Sequence, residues 1–178
     1  LEKAVLLILP IKEEEASERP VVLEEHLLAT PEIALVQARR AMLKMAKKCR
    51  KTFRQSMDGF FNDNSKVLEQ ALKNEDQIDE YQEQITTYLV ELSQKQLSEL
   101  VSVELPVLLH SVNDLERVGD HAKNIVELAS RKIENKQQFS DIAISEMKQI
   151  MDEVINMFEY LIAGLGEENL EEGKEKVR

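Results

Sequence analysis

Apolar positions recur at helical spacing along most of this chain. From Leu35 through Ala38, Met42, Met45, Cys49 and Phe53 to Phe60 they stand three, four or seven residues apart, the interval that gathers side chains onto one face of a helix. Thr30 followed by Pro31 is a start signal, since a proline at the first helical position has no intrahelical N–H to lose. The spacing therefore predicts a first helix over about Pro31 to Phe61. The polar cluster Asn62, Asp63, Asn64 and Ser65 ends it and caps a second helix over about Ser65 to Leu92, with Val67, Ala71, Ile78, Ile85, Leu89 and Leu92 inward.

A polar turn, Gln94 to Ser98, leads into a third helix over about Gln96 to Lys136. Pro106 lies within it and removes one backbone hydrogen bond, which predicts a kink or break near Glu104. Leu108, Val112, Leu115, Val118 and Ala122 carry the inward stripe onward. After a break at Asn135 to Phe139, Ser140 or Asp141 caps a fourth helix through Ile150, Val154, Met157, Phe158, Leu161 and Ile162, which Gly164 and Gly166 are expected to end. The charged stretch Glu167 to Arg178 either starts another helix or frays.

Composition agrees with this pattern. The 178 residues include no Trp, five Gly and four Pro, so turn-forming residues are scarce and the fold class is all-α, an antiparallel up-and-down helical bundle. A net charge of −11 argues against nucleic acid as a partner, because phosphate backbones are held by clustered Lys and Arg. It also counts against an anionic membrane surface. The single cysteine, Cys49, leaves no internal disulfide and fits a reducing compartment, and its place among Met42, Met45 and Phe53 makes it a small core residue. Ala4 to Leu9 is apolar but far shorter than the roughly 20 residues of a membrane span, while Ile11 to Pro20 has linker composition. Residues 1–23 are accordingly read as a linker and 24–178 as the bundle.

Two kinds of chemistry share Asn113 to Glu127. Leu115, Val118, Gly119, Ala122, Ile125 and Val126 fall on one face, and Glu116, Asp120, Asn124 and Glu127 on the other. Glu116 and Asp120 stand one turn apart, where like charges cost a helix roughly 0.2–0.5 kcal/mol. Two readings follow. One is a solvated acidic face partly neutralised by Arg117 and Lys123. The other is a cation site, since Mg, Ca, Mn and iron take oxygen ligands and a helix holds two of them at fixed separation. Glu75 and Asp79 in the second helix form a like pair, placed toward one edge of the Ile78 stripe. If the middles of the second and third helices lie side by side, all four carboxylates face a common point.

The run LERVGDHAKNI, Leu115 to Ile125, closely resembles the signature helix of the PhoU family, phosphate-homeostasis proteins built from two similar three-helix bundles with acidic ExxxD motifs. Glu75 to Asp79 matches the position of the acidic motif in that family's second helix. The resemblance implies a metal site at Glu75, Asp79, Glu116 and Asp120, with Asn124 as an oxygen ligand or supporting group, and with iron, Mg, Mn or Zn as the ion and no organic cofactor. The lead-in LEEHLLATPEIALVQARRAMLKMA further resembles the segment that joins the transmembrane part of bacterial sodium/phosphate cotransporters, type II related, to their appended PhoU-like domain. That implies a regulatory domain at the cytoplasmic face of the membrane, whose partner is the transmembrane transporter part of the same polypeptide and which meets phosphate only indirectly. The alternatives are a stand-alone regulator of a phosphate ABC transporter and sensor kinase, or a metal-free helical interaction module.

The resemblance covers one three-helix repeat and the opening of a second, and the chain stops before the second repeat's own acidic motifs. The fourth helix must then either close a four-helix bundle or find its cover in a homodimer. His26, His110 and His121 are the only histidines, and none follows a Glu by three residues, so the Glu-x-x-His pairs of ferritin-like di-iron bundles are absent. His121 reads as a surface residue or a ligand, and His110 as structural. No Gly-rich phosphate loop, nucleophile elbow or zinc pattern appears, and the chain is not expected to be an enzyme.

Overall fold

A computed structural model describes residues 22–175, with side chains to residue 166. The apolar Ala4 to Leu9 and the linker-like Ile11 to Pro20 lie outside the described residues. A short 3-10 turn, Glu25–Ala29, precedes four long helices: α1 (Pro31–Asn62), α2 (Ser65–Ser93), α3 (Glu99–Glu134) and α4 (Asp141–Glu175). Short connections force neighbouring helices to run antiparallel, and no strand is present among the described residues.

The end of α1 shows how local chemistry fixes a turn. Asp63 takes a left-handed conformation, φ 51, the Asn64 N–H donates back to the Gly59 carbonyl at 3.1 Å, and the Asn64 side chain accepts from the Val67 N–H at 3.4 Å to start α2. Lys132 of α3 closes the same corner. Its buried ammonium donates to the Phe60 carbonyl at 2.9 Å, pairs with the Asp63 carboxylate and lies over the Phe60 ring.

The core lies between α1, α2 and α3, which pack mutually. Every position of the α1 stripe, Leu35 to Phe60, is buried as its spacing requires. In α2 the buried residue of the first turn is Leu68, while Val67 is only partly covered, a shift of one position from the expected stripe. The third helix is unbroken at Pro106. That proline lies in the second turn and strips a partner only from the Ser102 carbonyl, and both residues are exposed, so water can take the place of the lost bond.

The fourth helix departs most from the sequence reading. It runs through Gly164 and Gly166 to Glu175, because a glycine stops a helix by turning left-handed and no glycine here has positive φ. It packs chiefly along α1, with Ile155 and Phe158 buried and Arg50 bound through one nitrogen to both Glu159 oxygens at 2.7 Å. Ile150 and Met157, two of its apolar positions, are 64% and 69% exposed. An open groove of about 600 Å³ therefore remains between α3 and α4, lined by Met42, Phe53, Val118, His121, Met157 and Leu161 among others. The four helices do not close into a compact square bundle.

The lead-in before α1 is part of the folded body. Gln37 accepts from the Glu24 N–H at 2.9 Å and donates to the Val22 carbonyl at 3.1 Å, and the Tyr88 hydroxyl donates to Gln37 Oε1 at 2.9 Å. Residues 22–24 are thereby tied to both α1 and α2.

Candidate functional site

The site is built on a close helix crossing. Gly119 of α3 is buried, and a Cβ placed there would meet Ile78 Cγ2 at 3.2 Å and Cδ1 at 3.4 Å. The missing side chain brings α2 near, and Ile78, wholly buried, fills the space. Glu75 on α2 and Glu116 on α3 lie about one turn before Ile78 and Gly119, and Asp79 and Asp120 follow those two residues directly.

Lys123 lies among them. Its ammonium donates to Glu75 Oε1 at 2.9 Å and to Oε2 at 3.1 Å. The Glu75 side chain is 1% exposed, while that of Lys123 is 43% exposed. Glu75 thus reaches inward from α2 and its charge is met by a lysine reaching in from the rim. An unpaired carboxylate at that depth would be costly, since burial penalises the charged form unless a partner is present. The spacing placed Glu75 toward one edge of the Ile78 stripe, and the structure sets it deeper: Leu68, Ala71, Glu75, Ile78, Ile85, Leu89 and Leu92 are all buried, and Glu75 occupies a regular inward position among them.

The remaining carboxylates sit at the edge and sense one another. Burial holds the Glu116 carboxyl above its ordinary range, and Asp120, Asp79 and Glu75 push it further in that direction, against Arg117. Asp79 is likewise raised, first by partial burial, with Lys123 opposing and Asp120 and Asp76 adding to the shift. The Lys123 ammonium is raised chiefly by its hydrogen bond to Glu75, against desolvation. Negative charge from both helices therefore converges on one seam that contains one close ammonium.

For a metal ion the donor type is right, because all four side chains offer hard oxygens. The arrangement is not that of a ligand set, since Glu75 is taken up by Lys123 and among the described residues no three His, Cys, Asp or Glu side chains are grouped to hold an ion. Asn124 is exposed one turn beyond Asp120 and makes no bond to these carboxylates among the described contacts. His121 is exposed and lines the α3–α4 groove. His110, expected to be structural, is exposed.

Polar residues beside the seam were not singled out by the sequence. Asn74 is buried and donates to Gln55 Oε1 at 2.6 Å. Lys48 is buried and donates to Gln77 Oε1 at 2.7 Å, and Gln82 donates to Asn113 Oδ1 at 3.0 Å across α2 and α3. These bonds fix the register of the helices that carry the acidic pairs.

A known domain family spans this seam. Residues 42–129 match the PhoU domain. The PhoU match begins within α1, takes in all of α2 and most of α3, and contains both acidic motifs, Gly119 and Lys123. The all-α bundle agrees with that domain. No curated protein and no solved structure matches the chain. Among the described residues no helix is long and apolar enough to cross a membrane.

Proposed function

We propose that this chain is the PhoU-type regulatory domain of a sodium-dependent phosphate cotransporter, acting at the cytoplasmic face of the membrane on the transmembrane part of the same polypeptide. The observation that carries this reading is the lead-in. The segment Leu23 to Pro31 resembles the junction between transporter and PhoU-like domain, and its first residues are bonded to Gln37 and thereby to Tyr88. A segment tied in this way transmits force and orientation between an upstream element and the α1–α2 pair. A loose tether does not.

In this reading the domain performs no chemical conversion and touches phosphate only through the transporter. Cation dependence, where present, belongs to the seam of Glu75, Asp79, Glu116 and Asp120, with Asn124 at its margin. The test is direct. The coding sequence upstream of Leu1 is read for membrane helices, and sodium-driven phosphate uptake into cells is measured with and without residues 24–178. Membrane helices upstream, together with uptake whose phosphate dependence changes on deletion, support the reading. An upstream sequence without membrane helices overturns it.

A further inference from the structure

We infer that the upstream acidic stretch Glu13 to Glu18 docks along a basic face of α1, so that the chain straps itself to its own body just before it enters the bundle. The inference is independent of the transporter assignment and of the acidic seam.

Charge is unevenly placed in this chain. The net charge is −11, yet α1 carries eight Lys and Arg and no acid between Glu32 and Asp58. Three of the eight are used inside the bundle: Arg39 pairs with Glu104 of α3, Lys48 donates to Gln77 of α2, and Arg50 binds Glu159 of α4. The other five, Arg40, Lys44, Lys47, Lys51 and Arg54, follow one another at intervals of three and four and so form a single stripe. It runs along α1 between the sides that Lys48 and Arg50 turn toward α2 and α4. Arg40 and Arg54 are exposed, and the three lysines are partly exposed. The bonds that border the stripe give it no carboxylate, since α2 offers the amides of Asn74 and Gln77 and α4 offers Glu159, which Arg50 already holds. Among the described residues Arg40, Lys44, Lys47 and Arg54 make no ion pair. Like charges one turn apart destabilise a helix, and the opposite charge that would relieve this stripe has to come from outside the described body.

The chain carries such charge close by. Ile11 to Pro20 reads IKEEEASERP, with Glu13, Glu14, Glu15 and Glu18. Gln37 holds the Val22 carbonyl and the Glu24 N–H, and it stands three residues before Arg40 and seven before Lys44. The root of the acidic stretch is thus pinned at the head of the stripe. The lengths agree as well. Arg40 to Arg54 lie roughly 5 to 25 Å beyond Gln37 at the helical rise, and Glu18 to Glu13 can reach roughly 14 to 32 Å from Val22 when extended. A tether this short gives a high effective concentration, which lets ion pairs form that solvent would otherwise leave weak. A second copy of the chain brings a net charge of the same sign and no tether. The acidic stretch is therefore the occupant that both charge and length select.

The experiment uses the 178-residue chain and a carbodiimide, which couples a carboxylate to a lysine amine only in direct contact. At low salt, peptide mass spectrometry is expected to find Glu13, Glu14, Glu15 or Glu18 joined to Lys44, Lys47 or Lys51. In a mixture of unlabelled and isotope-labelled chains the joined peptides are expected to come from one molecule, and about 0.5 M NaCl is expected to reduce them on the order of fivefold. A second measurement leaves the bundle untouched. Glu13→Gln, Glu14→Gln and Glu15→Gln together are expected to raise the rate of reductive methylation of Lys44 and Lys47 about threefold, since the carboxylates that cover them have lost their charge. Absence of these cross-links, or cross-links that form only between molecules, overturns the inference. Methylation rates equal in the wild type and the triple variant overturn it too.

Discussion

Ile78 packs against Gly119 so closely that a single added carbon at Gly119 would stand 3.2 Å from Ile78 Cγ2. This contact sets the distance between α2 and α3, and with it the distance between the two acidic motifs. Gly119→Ala trades crowding of a few tenths of an ångström against a helix-propensity gain of about 1 kcal/mol, and is expected to be close to neutral. Gly119→Leu has no such escape and is expected to destabilise by about 3 kcal/mol through overpacking. Urea unfolding of the two variants checks the difference, and equal stability would show that α2 and α3 are not held at this separation.

The Lys123–Glu75 pair is expected to be coupled. Removing the ammonium leaves a buried carboxylate without its partner, which costs about 3–5 kcal/mol for a fully buried pair and less here because Lys123 reaches solvent. We expect Lys123→Met to lose about 1–3 kcal/mol, and the double variant with Glu75→Leu to recover most of the loss. A double-mutant cycle measures the coupling directly, and additive effects of the two substitutions would mean that the pair contributes nothing.

Stability should fall with rising pH in two separate windows, one on the acid side and one on the alkaline side. Glu116 and Asp79 have raised carboxyls, so the folded state binds their protons more readily than the unfolded chain. The penalty for ionising them is full above their folded pKa and disappears as pH falls toward the ordinary carboxylate values of 4.5 and 3.8. Glu116→Gln is therefore expected to raise the melting temperature slightly at neutral pH and low salt, and to flatten the melting curve's acid-side dependence. Lys123 is also raised, but for a base this stabilises. Its contribution is present below the ordinary lysine value of 10.5 and is lost as pH rises through the folded value. Melting temperatures from acid to alkaline pH test both limbs, and a wild-type profile unchanged by Glu116→Gln and by Lys123→Met would contradict them.

Lys132 is expected to be structural. It satisfies the Phe60 carbonyl at the end of α1 and pairs with Asp63, so Lys132→Met leaves that carbonyl and carboxylate without a donor. A loss of about 1–3 kcal/mol is expected, while the register of α2 against α3, reported by the Gln82–Asn113 bond, stays as it is. Chemical denaturation with amide exchange of residues 59–68 follows this corner. Full retention of stability would show the lysine to be dispensable.

Cys49 is expected to be unreactive in the folded protein. Burial pushes its thiol up to about 12, against a backbone hydrogen bond that lowers it, and its Sγ lies 3.4 Å from the Leu115 carbonyl. A thiol-specific disulfide reagent at neutral pH should label it only as fast as the chain opens. Labelling at the rate of a free thiol would place it at the surface.

Much of the fold is local and was legible for that reason. Helix limits follow from caps and apolar spacing, which act within a few residues, so Pro31, Asn64, Ser65 and Asp141 appear where the chain itself puts them. Glycines at 164 and 166 misled, because whether a glycine ends a helix depends on its φ, which its neighbours in space help to set. The acidic pairs were legible as motifs and misread in depth. Glu75 follows Ala71 by four residues and precedes Ile78 by three, so the heptad itself places it inward, but a charge at an inward position looks like an error until its partner is known. That partner, Lys123, sits on another helix forty-eight residues away. The sequence determined which helices form and which faces are apolar, because those properties are written in intervals of three and four. Only the packing of Ile78 on Gly119 decided which charges meet, because the energy of a buried ion pair depends on distances between side chains that no spacing along the chain encodes.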